Sequence, residues 1–297
     1  MSGMSNYTAL AWLNILNTLQ PPSGQTLTGV WLALMTAVDT DAGTGGTEVS
    51  TSGTAYARAQ VAGALALSAS FTTASTTLTL ASTAPAWLLA LGTNGSGCNV
   101  YDATNSQQIG TVSSVSSTTV TLVAAAAHAS SGSTDSIVFS AFSQSSGSAP
   151  SGITTGASIP FAQATGAGFG TVVAWELRDA VTSGNLLVWD YLGNNAWFPA
   201  TVSSASPGVI TAHAHGYSNG GFFVWSNELG GTAPTFSSGT FIGSIQTVAG
   251  ATTDTFNVTA VNTSATGNGM VRAVTQQAIA ANVTASFASG ALTITSA

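Results

Sequence analysis

The chain has 297 residues, of which ten are acidic and three are arginine, with no lysine, giving a formal net charge of −7 and a charged fraction of 4%. An ordinary soluble domain carries about a quarter charged residues, so three scattered arginines exclude a phosphate-neutralising, nucleic-acid-binding surface. No apolar run approaches the roughly 18–20 residues of a membrane helix, and a hydrophobic fraction of 44% with seven tryptophans argues against general disorder. The lone Cys98 excludes an intramolecular disulfide and a cysteine zinc site, and it is read as a small apolar packing residue. Met1 to Asn6 carries no basic residue, and the apolar stretch after it is broken by Asn14, Asn17 and Thr18. The expectation is therefore no secretory leader, with assembly in a cytoplasm or exit from it without a cleaved signal.

Tyr7 to Gln20 is predicted to be a helix. Leu10, Leu13, Leu16, Ile15 and Leu19 recur at helical spacing beside Trp12, Ser5 or Asn6 can cap the start, and Pro21-Pro22 ends it. From Val30 onward the pattern is that of strands. Val30–Ala37 is short, apolar and bounded by Gly29 and the loop from Asp39, and Tyr56–Val61 is another short strand; Thr76–Ala81, Gly97–Tyr101, Gly110–Val112, Thr118–Val123 and Ser136–Phe139 are short strands from a region of Thr/Ser alternation. Ser143–Gly156 is predicted to be a linker, having almost no bulky residue. Thr171–Arg178 and Leu186–Leu192 are predicted to pair as a hairpin. Val173, Trp175 and Leu177 fall on one face, Glu176 and Arg178 on the other, and Asp179–Asn185 forms the turn. Pro199–Gly208 is a second breaker region, more strands follow over Val209–Val258, and the C-terminus is predicted to hold two short strands around Ser289-Gly290. Strands at this regular spacing indicate an all-β architecture.

Three separated stretches resemble a known family. The first holds Asn6-Tyr7-Thr8, Val30–Thr36, Gly46–Ser50 and Ala55-Tyr56-Ala57-Arg58. The second holds Ile159-Pro160-Phe161, Gly170-Thr171-Val172 and Gly184–Trp189. The third holds Thr284, Phe287 and Ser289–Thr295. Together they resemble a small tailed-bacteriophage virion-associated protein, of the kind labelled tail-fibre or decoration protein. The matches cover somewhat under half of the chain, and in order they are moderately specific. The resemblance implies a mainly β, β-sandwich-like core with one N-terminal helix and two inserted small β domains. The expected division is 1–61 as the first part of the core, 62–152 as one inserted domain with its linker, 153–199 as the core hairpin, 200–270 as the second inserted domain, and 271–297 as the last part of the core. The second insertion resembles a β-module of phage structural proteins through Val209–Ala212, His215-Gly216, Gly230–Thr232 and Thr253–Phe256. Additions of this kind are best tolerated at turns.

Four groups of residues invite chemistry. His213 and His215 at i and i+2 would share one face of a strand and are candidates for a metal ligand pair, against a structural role for His215 as a turn residue. Glu176, Arg178, Asp179 and Asp190 gather on the hairpin. A carboxylate pair there could do acid–base work on a glycoside, but a surface or interface salt-bridge set is the preferred expectation. Arg58 could pair with Glu48 or Glu176 and pin the core. Trp12, Trp31, Tyr56, Trp175 and Trp189 are expected in the core or at interfaces. No Gly-x-Ser-x-Gly elbow is present, so a nucleophilic triad is not supported.

The expectation is a non-enzymatic bacteriophage structural protein without a cofactor, assembling with itself as a homotrimer and with other virion proteins such as the major capsid or tail proteins. Capsid decoration is preferred. A tail-fibre or head-fibre component with carbohydrate or host-surface adhesion through the insertions is the alternative, and a polysaccharide-degrading enzyme ranks last. No nucleic acid and no membrane insertion are expected. A surface without lysine lacks a common device for protecting exposed sheet edges, which fits a protein packed against copies of itself or a shell.

Overall fold

The computed structural model describes residues 6–21, 27–40, 43–93, 97–143, 151–193, 195–227 and 230–296. Helix α1 (Asn6–Thr18) precedes β1 (Gly29–Ala37), β2 (Thr47–Glu48), β3 (Ala59–Leu65) and β4 (Thr77–Thr79). Helix α2 (Ala86–Thr93) precedes β5 (Asn99–Asp102), β6 (Gln107–Ser116), β7 (Thr119–Leu122) and β8 (Ile137–Ser140). Next come β9 (Ser151–Thr154), β10 (Ile159–Gln163), β11 (Gly170–Val172), β12 (Ala174–Arg178) and β13 (Leu186–Tyr191). A third group holds β14 (Trp197–Val202), β15 (Val209–Thr211), β16 (Phe222–Ser226), β17 (Thr235–Ser238), β18 (Gln246–Thr247), β19 (Thr255–Asn257), β20 (Asn262–Ala265) and β21 (Gly267–Val274). The chain ends in β22 (Gln277–Ile279), β23 (Thr284–Phe287) and β24 (Thr293–Ser296). The protein is mainly β with an N-terminal helix, and among the described residues no helix is long and apolar enough to cross a membrane.

Helix α1 buries Leu13, Ile15 and Leu16 and leaves Trp12 54% exposed. It docks through Ser140 Oγ, which donates to the Leu16 carbonyl at 2.8 Å, and through Asn17 Nδ2, which donates to the Ser143 carbonyl at 2.8 Å. The helix stops where Leu19 takes a left-handed φ of 55° just before Pro21. Ser5, the other candidate cap, and Pro22 lie outside the described residues.

Among the described residues, the largest sheet has ten strands in the order β13-β12-β1-β3-β8-β5-β6-β7-β4, with β2 also on β1. A six-stranded sheet runs β18-β16-β21-β14-β15-β19. Every named strand pair is antiparallel, including β10 with β23, β11 with β22 and β9 with β24. The segments expected to be insertions join the rest differently. Residues of 62–152 continue the ten-stranded sheet, where β8 pairs with β3 and β5 with β8, and they share one hydrophobic core with α1, β1 and β12. The 200–270 segment has its own core, around Ile210, Phe223, Trp225, Phe241, Phe256 and Val271. A third, smaller cluster, Ala33, Met35, Val173, Ala174, Val224 and Val274, seals the β1/β12 end of the large sheet against β16 and β21.

Four local findings differ from the sequence expectation. Helix α2 replaces part of an expected run of strands: Pro85 opens it, and Leu88 and Leu91 are buried. An eight-residue apolar run has too little periodicity to separate helix from strand. Of the expected linker, 144–150 lies outside the described residues, while Ser151–Thr154 forms β9 in full register with β24. Pro199 sits inside β14, opposite Met270 of β21; on the other flank β15 pairs only with Thr201 and Val202, so no ladder amide is required of Pro199 there. Val173 lies between β11 and β12 and joins the small cluster at the seam, on the side opposite Trp175 and Leu177. One close approach also fixes two residue types: a Cβ on Gly97 or Gly156 would meet the other's carbonyl oxygen at 2.2 and 2.1 Å.

The three separated stretches of the resemblance meet in one aromatic group. Phe161 on β10 stacks on Tyr56 with centroids 6.2 Å apart and packs against Phe287 on β23 at 6.3 Å, and Phe169 meets Tyr56 edge-on at 5.4 Å. Phe161→Ala is therefore expected to cost about 3–5 kcal/mol, read by urea unfolding. A loss below about 1 kcal/mol would show that the site collapses and that the three stretches are held elsewhere.

Candidate functional site

Strand β12 alternates, so Trp175 and Leu177 enter the main core while Glu176 and Arg178 point to the opposite face. That face is not surface. The second sheet covers it, leaving Glu176 0% and Arg178 7% exposed. Arg178 Nε and Nη2 donate to Glu176 Oε2 at 2.9 and 2.6 Å, and Nη1 donates to the Gly184 carbonyl at 3.2 Å. Nη2 also pairs with Asp39 Oδ2. Asp39 arrives from the loop after β1, and the Gly46 amide donates to its Oδ1 at 2.5 Å. A Cβ at Gly46 would lie 2.6 Å from the Asp39 amide nitrogen, so only glycine closes this loop. Burial pushes the Glu176 carboxyl above the usual carboxylate range; Arg178 opposes that push, and the Asp39 charge adds to it.

Arg58 makes a second pair. Its Nε and Nη2 donate to Glu48 Oε1 and Oε2 at 2.9 and 2.7 Å, a two-pronged contact, and its Nη1 donates to the carbonyls of Ala180 and Ser183 at 2.8 and 2.6 Å. Glu48 thus takes Arg58, and Glu176 takes Arg178. Tyr56 completes the group, its hydroxyl donating to Glu48 Oε1 at 2.8 Å and accepting from the Leu34 amide at 2.9 Å. Burial, with the Glu48 charge beside it, raises the Tyr56 phenol well above its ordinary pKa.

Asp190 separates from the group expected on the hairpin. It lies opposite Trp175, while Glu176 lies opposite Trp189, which puts the two carboxylates on opposite faces of the pair. Asp190 and Glu176 therefore do not flank a common space, as a glycosidase pair must. Asp190 instead pairs with Arg272 of β21 through Nη1, and through Nη2 at 3.0 Å; Arg272 also lies 5.8 Å over the Trp197 ring. Asp179 closes the hairpin turn by accepting the Asn185 amide at 2.6 Å. Trp175 is buried in the main core, and Trp31 is half-buried opposite Arg178. Cys98 is fully buried, which pushes its thiol up to about 12.

The two histidines do not share a strand face. Strand β15 ends at Thr211, and Ala214 takes a left-handed φ of 51° between them. His213 stays exposed and meets Asp254 at 2.8 Å, whereas His215 is buried and accepts the Tyr217 amide at Nδ1. The geometry for a shared metal is therefore absent from this pair.

Beside the buried ionic group lies a cleft of about 540 Å³ at the seam of the two sheets. Trp189 and Tyr191 of β13 line one side, with their rings edge-to-face at 5.3 Å and 82°. Trp197 of β14 and Trp225 of β16 line the other, and Asp39 and Asn227 supply polar atoms. Sequence analysis singled out Trp189 but missed Asp39, Trp197, Trp225, Asn227 and Arg272. With three cations in the chain, the need of Arg272 for a partner is a signal the sequence carries; the tryptophans carry no such signal, because residues from five separate segments form the cleft.

Arg178→Met leaves two carboxylates buried without a cation, and its expected cost is about 3–5 kcal/mol by urea unfolding. His213→Ala, which removes a solvent-exposed pair, should leave the transition unmoved. Equal effects would contradict the burial argument. A further prediction concerns pH. The folded-state pKa of Glu176 lies above its unfolded value, so the stability it contributes is fully present below the unfolded pKa and is lost as pH rises through the folded one. The unfolding free energy of the native protein minus that of Glu176→Gln should fall as pH rises above the ordinary glutamate pKa of about 4.3. A difference that grows with pH would reverse the assigned direction.

No protein-family model matches the chain, and no curated protein matches it.

Proposed function

We propose that this chain is a bacteriophage virion structural protein, preferentially a capsid decoration protein that holds its place by many weak, largely uncharged contacts repeated by symmetry. The observation that supports this most is that the family-like stretches, far apart in sequence, interlock. Strand β1 pairs with β12 and β10 with β23, and Tyr56, Phe161 and Phe287 join all three stretches. On this reading 62–152 is an addition that extends the sheet of that unit from β3 through β8, and 200–270 is one with a core of its own. Surface chemistry also favours the reading. All three arginines are engaged within the chain, so contacts to another copy or a shell would run through Ser, Thr, Ala and backbone edges. We propose a homotrimer in the virion, formed in the cytoplasm of the host bacterium and touching the major capsid or tail proteins, with no enzymatic activity.

The aromatic cleft favours one second reading, a tail-fibre or head-fibre component that adheres to a host-surface glycan. Copy number separates the two. Quantitative mass spectrometry of purified particles encoding the chain, referenced to the major capsid protein, should find hundreds of copies for a shell-wide decoration protein. A few to about twenty would install the fibre reading, consistent with closed low-order symmetry. Complete absence from particles would overturn both.

A further inference from the structure

We propose that the seam cleft is a binding site for a neutral saccharide of about disaccharide size, which stacks on Trp189 and is oriented by Asp39 and Asn227. The volume of about 540 Å³ falls among small-molecule sites, which run from about 300 to 1,000 Å³ and combine aromatic walls with a few fixed polar groups. Trp189, Tyr191 and Trp197 are each half-buried, so they keep ring surface open to a ligand while their bodies are anchored. The edge-to-face setting of Trp189 on Tyr191 fixes the angle of that wall. An electron-rich aromatic face suits the C–H-bearing face of a pyranose ring.

The polar atoms are equally fixed. Asn227 Oδ1 accepts the Trp225 indole N–H at 2.8 Å, and its Nδ2 donates to the Asn268 carbonyl at 2.7 Å. Its carbonyl oxygen retains a second lone pair for a sugar hydroxyl. The Asp39 carboxylate is held by Arg178 and Gly46 and keeps further acceptor capacity. Charge selects against ionic ligands. Of the two carboxylates that share Arg178, Glu176 is fully buried and only Asp39 lines the cleft, with the guanidinium on it, so a cation would have to compete with Arg178 for that carboxylate. The chain's three cations are all paired internally, so an anion finds no partner. What remains is a ligand that is uncharged, rich in hydroxyls and apolar on its ring faces.

The inference extends the adhesion reading but rests on the cleft alone: copy number tests the one and binding by the purified chain tests the other, so either can fail separately. The experiment titrates the full chain with neutral oligosaccharides (gluco-, galacto-, manno- and N-acetylglucosamine oligomers) and follows tryptophan emission together with saturation-transfer NMR. At least one series should shift the emission and receive saturation. Trp189→Ala should weaken that binding by at least about tenfold, and Trp12→Ala, on the exposed face of α1, should leave it unchanged. If Trp189→Ala does not fold, Ser244→Trp, placed on the exposed rim of the cleft, must abolish binding instead. No response from any neutral series, a response confined to sialylated or amino-sugar controls, or binding indifferent to the cleft variants would overturn the proposal.

Discussion

Three guanidinium groups carry all the side-chain positive charge that persists at neutral pH in this chain, and each is held against a carboxylate where segments distant in sequence meet. Arg58 ties the segment before β3 to Glu48 and to the hairpin turn; Arg178 ties β12 to the loop after β1; Arg272 ties β21 to the edge of β13. Between these points most surface and much filling is Ser, Thr, Ala and Gly, residue types that discriminate poorly between one strand register and the next. A one-residue slip of β12 would carry Glu176 and Arg178 into the apolar core and Trp175 and Leu177 into the seam. Buried charge pairs contribute little net stability, but separating the partners is costly. In a sequence this uniform, that asymmetry helps to select a single packing.

The order of the sheets follows from those ties. The large sheet is covered on one face by α1 and the main core, and at its β1/β12 end on the other face by the six-stranded sheet. That second cover turns the polar side of the hairpin from surface into interior. It also creates the seam in which aromatic side chains from both sheets face a common space, so the ionic group and the cleft are two results of one packing event.

Elements whose reason is local were legible in the sequence. Val30–Ala37 is a short apolar run bounded by turn residues, Thr118–Val123 and the hairpin alternate, and α1 has both a stripe and a proline stop; each is visible within ten or so residues. What depends on a distant cover was not. Nothing around Glu176 announces that Val224 and Val274 will lie across its face of the sheet. Nothing near Pro199 says how far β15 will reach, and the left-handed Ala214 that parts His213 from His215 occupies a position where alanine gives no warning. Helix α2 was hidden for a different reason: its first six residues, Ala86–Leu91, are all apolar, and a run apolar on every side lacks the periodicity that marks a helix. The site suffered most, because its walls come from the loop after β1, β13, β14, β16 and the segment around Ser244, and of these only β13 and β14 are near neighbours in sequence.

The arginine pairs have one more consequence. With no lysine in the chain, a protease specific for basic residues has only the bonds after Arg58, Arg178 and Arg272 to attack, and the side chains it must grip are 6%, 9% and 8% exposed. Cleavage of the native protein by trypsin therefore requires a local opening at one of three known seams. The first fragment released names the seam that opened. The scarcity of charge thus makes this chain a reporter of its own weakest junction, with each pair acting as a separate, sequence-addressed gauge.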